Sequence, residues 1–131
     1  MKRFLFVILI ISYSVTWAKW ELLGATIQFD EYADKASRLT KGNVVEMWTM
    51  RDWRTLQITN GGFKYLSEKV LDRYDCENRT MALLEVVKYP EKMGLGNKNL
   101  TITARQQEIV TDRIAPSSSG EVKLKIACDK K

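Results

Sequence analysis

Apolar and polar side chains alternate along most of the chain from Trp20 onward, with the period of two that marks half-buried strands. The clearest case is 44–54, where Val44, Glu46, Trp48 and Met50 share one face and Val45, Met47, Thr49, Arg51 and Trp53 the other. Neither face is purely polar, which suits a central strand covered on one side and partly covered on the other. Shorter strands are expected at 20–23, before Gly24, and at 26–29. A polar stretch, 30–42, then ends in the turn Lys41-Gly42-Asn43. Thr59-Asn60-Gly61-Gly62 is a second turn, and a strand over 63–76 follows, placing Leu66, Val70, Tyr74 and Cys76 on one face with Glu68 and Asp72 interrupting. Beyond Glu77-Asn78-Arg79, residues 80–89 alternate Ala82, Leu84 and Val86 against Met81, Leu83 and Val87, until Pro90 stops the run. A loop with two glycines, 93–97, leads to a last short strand at 99–103. No connection is long enough to hold a crossover helix, so the pattern predicts an antiparallel meander.

The C-terminal segment supports two readings. Ser118 and Glu121 have the spacing of a capping box, with Ser118 as N-cap, which starts a helix. Val122, Leu124, Ile126 and Cys128 alternate strictly, which is strand periodicity.

Residues 1–18 stand apart from this pattern. Lys2 and Arg3 precede an unbroken apolar run over 4–11, and Thr16-Trp17-Ala18 offers small residues at the positions a signal peptidase reads. This segment is expected to be a secretory leader, cut after Ala18, leaving a single domain over 19–131. Its apolar run is too short for a membrane span, which takes roughly 18 or more residues. No cysteine stands at the cleavage point, so no lipid anchor is expected. Losing the leader lowers the formal charge of +5 by two. So small a basic excess on an exported chain argues against a nucleic-acid partner.

Export also changes how the two cysteines read. In an oxidising compartment Cys76 and Cys128 are most simply one disulfide. It would close a loop of about 50 residues, for which the chain-entropy treatment gives about 4 kcal/mol. Histidine is absent, which removes the commonest general base and metal ligand, and with them Ser-His-Asp and Cys-His catalysis. The carboxylates Asp72 and Asp75 lie among Lys69, Arg73 and Arg79 and read as solvated surface charge. Gly94-x-Gly96 lacks the third glycine and the helix of a phosphate loop. No catalytic residue, metal ligand or cofactor is assigned, and the chain is not expected to be an enzyme. Basic side chains such as Lys64, Lys69, Arg73, Lys88, Lys92 and Lys98 could favour acidic partners.

An ordered set of residues carries a resemblance. Trp20 is followed by Gly42-Asn43-Val44-Val45-x-x-Trp48, then Tyr65-x-Ser67, Asp75-Cys76-x-x-Arg79, Tyr89, Met93-Gly94-x-Gly96, Pro116-x-Ser118 and Cys128. In this order they resemble the surface-adhesin protein E family of small exported bacterial proteins, over about 20–128. The resemblance implies an α+β fold: a six-stranded antiparallel sheet, meander-like, with a C-terminal α-helix packed on one face. Cys76 and Cys128 would tie that helix to the sheet, which decides 118–128 in favour of the helix. It also implies a non-enzymatic binding module with a protein partner, in the manner of an adhesin for vitronectin, laminin and plasminogen. The alternative is a soluble periplasmic accessory or inhibitor protein acting on another envelope component. The missing lipid-bearing cysteine departs from the lipidated adhesin and leaves periplasm, secretion and cell surface open. A homodimer is also left open, and the ligand-binding residues are unassigned.

Overall fold

A computed structural model describes residues 20–130; the expected leader over 1–18 and the expected cleavage after Ala18 lie outside the described residues. Eight strands form one antiparallel sheet: β1 (Trp20–Ala25), β2 (Phe29–Asp34), β3 (Leu39–Lys41), β4 (Val44–Ile58), β5 (Lys64–Asp75), β6 (Thr80–Tyr89), β7 (Leu100–Thr103) and β8 (Thr111–Arg113). Among the described residues one α-helix, α1 (Ser119–Cys128), follows the last strand. The order across the sheet is β1-β2-β4-β5-β6-β7, with β3 also on β4 and β8 also on β6.

The expected six strands are therefore eight, because two of the six places in the sheet hold two short strands each. Along β4, β2 pairs with residues 49–53 and β3 with residues 44–46. Between them a 3-10 turn, Lys35–Ser37, lifts the chain away. The Trp48 N–H that would have met a strand there donates instead to Ser37 Oγ at 2.9 Å, and Ser37 Oγ donates to the Asp34 carbonyl at 2.6 Å. Along β6, β7 and β8 are interrupted in the same way, and the Ala104 N–H bonds the Leu84 carbonyl at 2.8 Å.

The predicted strand at 26–29 is mostly a turn. Thr26 Oγ1 accepts the N–H groups of Gln28 (3.1 Å) and Phe29 (2.9 Å), bending the chain so that β2 begins only at Phe29. The alternation expected in 80–89 also breaks, at an irregularity in the β5–β6 register: Asp72 faces Leu83, but Leu71 faces Glu85. Leu84 is the extra residue of a bulge. Val86 therefore falls on the face of Met81 and Leu83, and Val87 on that of Ala82.

The core lies between α1 and one sheet face. Ala33, Val45, Met47 and Tyr74 pack against Ile114, Leu124 and Ala127. The capping box forms with a variation: Ser118 Oγ accepts the Glu121 N–H at 3.3 Å, while the Glu121 carboxylate accepts the N–H of Ser117. At the far end Arg38 donates to the carbonyls of Ile126 (3.1 Å) and Asp129 (2.8 Å), satisfying groups a helix end leaves open. Beside it Cys76 and Cys128 are joined by a disulfide, so the helix is tied to the end of β5.

Candidate functional site

The sheet's two faces differ in chemistry. On the helix side, charge is buried with the core. Lys123, 5% exposed, meets Glu31, 8% exposed, at 2.8 Å. Asp72 lies beside them and accepts from the Tyr74 hydroxyl at 3.4 Å. Burial pushes the Asp72 carboxyl above the ordinary carboxylate range, with Lys123 pulling the other way. Burial also holds the Tyr74 phenol protonated, well above the usual tyrosine range. Asp72 thus departs from the expected solvated surface charge. Asp75 fits it: it stands at the β5–β6 turn and accepts from the N–H groups of Asn78 (2.9 Å) and Glu77 (3.0 Å). The Asn78 bonds lower its pKa most.

Farther along this face, Glu68 pairs with both Lys88 and Arg51, and the Lys88 ammonium sits 4.1 Å from the Tyr65 ring centroid. Burial disfavours the Lys88 charge, but Glu68 and Tyr65 outweigh it and the net shift is upward. Glu68, Lys88 and Arg51 rim a recess of about 420 Å³ that opens beside Lys123 of α1. Leu83 and Ile102 are half exposed at its edge.

The opposite face has no helix. One end is clipped by the 90–96 segment, the glycine-bearing loop of the sequence pattern. The Met93 N–H donates to Asp52 Oδ1 and the Gly94 N–H to Ser67 Oγ, both at 2.8 Å. Ser67 Oγ donates in turn to the Glu91 carbonyl at 2.6 Å. Gly94 has φ +69°, a conformation that favours glycine, and a Cβ there would displace the flexible end of Lys69, whose Cε would lie 2.5 Å away. This clip buries Met50, Asp52 and Ser67 on a face that lacks a covering layer.

Next to the clip lies a groove of about 330 Å³. It draws Trp20 from β1, Asp34 from β2, Trp48 from β4, Lys69 from β5, and Glu85, Val87 and Tyr89 from β6. The Lys69 ammonium stands 4.9 Å from the Tyr89 ring centroid and 5.6 Å from that of Trp20, in cation–π range of both. Burial, then the Glu85 carboxylate, raise the Tyr89 phenol above its ordinary value. Trp20, Trp48 and Tyr89 belong to the sequence pattern, but their convergence was invisible in it. They come from three strands, and the β6 bulge sets which of its residues face the groove.

The opposite facing of Trp48 and Trp53 is as the alternation predicts: Trp48 lines the groove, and Trp53 packs edge-on against Phe29 at 4.9 Å. The basic residues do not form one patch. Lys88 is paired with Glu68, Lys92 with Asp52 and Arg73 with Glu46. Among the described residues no cluster of three or more His, Cys, Asp or Glu could hold a metal ion, and no helix is long and apolar enough to cross a membrane.

A sequence model of the family described as Surface-adhesin protein E matches residues 20–129. Comparison with curated proteins gives no match. Among solved structures the fold is similar to Haemophilus influenzae protein E in crystal form II, with 14% identity and a TM-score of 0.61, covering 81% of this chain and 91% of that one. Another structure of H. influenzae protein E gives 14% identity and a TM-score of 0.60, covering 81% and 87%. Protein E from non-typeable H. influenzae gives 14% and 0.56, covering 80% and 78%. At such identity the structural likeness speaks for the fold alone. The family match, which takes in every strand and the helix, goes further: the chain belongs to the surface-adhesin protein E family.

Proposed function

We propose that residues 19–131 form an exported, adhesin-type binding module that acts at the cell surface through a protein partner and without catalysis. The observation that carries this reading is the family match across 20–129. The helix-free face is the docking face in this reading, because half-buried tryptophans and a tyrosine stand there beside an unshared lysine with no layer above them. Host matrix or plasma proteins of the kind bound by adhesins, such as vitronectin, laminin and plasminogen, are the partners to test first. Purified 19–131 is expected to bind immobilised vitronectin or laminin saturably and less tightly as salt rises. Absence of binding to both would overturn the adhesin reading.

One observation favours a second reading, a periplasmic accessory or inhibitor protein. Both cysteines of the sequence are bonded to each other, so neither is free to carry a lipid. Fractionation separates the two readings. Protease digestion on intact cells is expected to remove a surface protein, whereas release by osmotic shock alone would place it in the periplasm. N-terminal sequencing of the exported form is expected to begin at Lys19.

A further inference from the structure

The groove on the helix-free face combines features that a packed surface alone does not require. The Glu85 carboxylate makes no hydrogen bond or ion pair among the described residues, although its backbone is held within β6 and it reaches a recess between aromatic rings. Lys69 likewise has no carboxylate partner among the described residues; its ammonium is held only over the rings of Tyr89 and Trp20. Across the recess Asp34 uses one carboxylate oxygen to accept the Ala36 N–H at 3.1 Å, which leaves the other available.

These charges select the ligand class. An anion would meet Asp34 and Glu85, and a cation would meet Lys69. A wholly apolar ligand would strip water from Lys69 and Glu85 and give nothing back, which is costly. A neutral ligand rich in hydroxyls uses both: hydroxyls donate to the carboxylates, and the ammonium donates to the ligand's oxygens. The Trp48 ring, which carries no cation over it among the described residues, then offers an apolar surface to the C–H face of a pyranose. The volume, about 330 Å³, lies at the small end of small-molecule sites and suits one or two sugar rings.

We propose that the groove formed by Trp20, Trp48, Lys69, Glu85 and Tyr89 is a binding site for a neutral, hydroxyl-rich sugar of one or two rings. The site does not depend on the adhesin reading: a free sugar tests the groove whether or not any matrix protein binds.

The probe is N,N′-diacetylchitobiose, titrated into purified 19–131 and followed by the indole N–H resonances. Saturable shifts of Trp20 and Trp48 at millimolar sugar are expected. Lys69→Met keeps the aliphatic stem over the rings, and Glu85→Gln keeps the shape; each is expected to weaken binding about tenfold, the loss of one charge-assisted hydrogen bond. The proposal is overturned if the sugar moves neither indole, or if both variants bind it as the native chain does. It is also overturned if choline, as a cation probe, or a lysine-containing peptide shifts the same indoles at lower concentration. Sugar-dependent indole shifts without vitronectin or laminin binding would support this site and overturn only the adhesin reading, whereas protein binding without any shift by the sugar would overturn the site alone.

Discussion

The two faces of the sheet are closed by different means. Where α1 lies, the helix side is sealed by apolar burial, with Met47 and Tyr74 packed against Leu124 and Ala127 of the helix, and by a covalent bond from Cys76 to Cys128. Even its charges, Lys123 and Glu31, are sealed in. The other side is closed only at one end, by N–H bonds from Met93 and Gly94 and a half-exposed lysine. The rest of it leaves aromatic rings within reach of solvent. A small domain can spare little apolar surface from its core. In the reading proposed above, the covalently secured helix side supplies stability and the face with the half-buried aromatic rings supplies recognition.

The contrast predicts an order of effects. Cys76→Ser is expected to cost about 4 kcal/mol and to lower the melting temperature strongly, with hydrogen exchange rising first in α1. An unchanged melting temperature under reducing conditions would remove the tether from the account. Lys123→Met leaves Glu31 buried without its partner and is expected to cost about 3 kcal/mol by urea unfolding, most of it restored when Glu31→Leu is added. The corresponding cut on the other face, Lys92→Met, removes a pair whose lysine is largely solvated and is expected to cost less than about 1 kcal/mol. Equal losses for Lys123→Met and Lys92→Met would erase the difference between the faces. Gly94→Ala forces an L side chain into the left-handed region against Lys69 and is expected to cost about 1–2 kcal/mol. Ser118→Ala removes the helix cap and is expected to cost about 1 kcal/mol.

Acid response gives the smallest effect. The folded-state pKa values of Asp75 and Glu121 are lowered, chiefly by the Asn78 and Ser117 N–H groups respectively. Their contribution is therefore present above the ordinary carboxylate range and lost as pH falls through it. Asp72 has the opposite sign: its raised pKa favours the folded state at low pH, and that advantage is lost as pH rises through its elevated value. Urea midpoints measured against pH are expected to fall on acidification, less steeply in Asp75→Asn and more steeply in Asp72→Asn.

Much of this fold was legible from the pattern. The three long strands β4, β5 and β6 were readable because each buries side chains on alternate positions. Leu39–Lys41 and Thr111–Arg113 were missed because they are exposed throughout, and Phe29–Asp34 was read mostly as a polar stretch because its buried Glu31 pairs with Lys123 on another element. The helix was legible at its start, from Ser118 and Glu121, but not along its length. Lys123 is buried against Glu31 and Val122 is half exposed, which inverts what their side chains suggest. Asp72 misled for the same reason, since Lys123 and Glu31, beside which it is buried, lie on other elements. The groove was not legible, because its residues come from five strands and the Leu84 bulge decides which of them meet.

The division of labour between the faces is tested most directly by hydroxyl-radical footprinting of the domain bound to vitronectin or laminin. The account predicts that Trp20, Trp48 and Tyr89 lose reactivity in the complex while Leu83 and Val122 keep theirs. Protection of Leu83 and Val122, with the three aromatic residues still reactive, would contradict it.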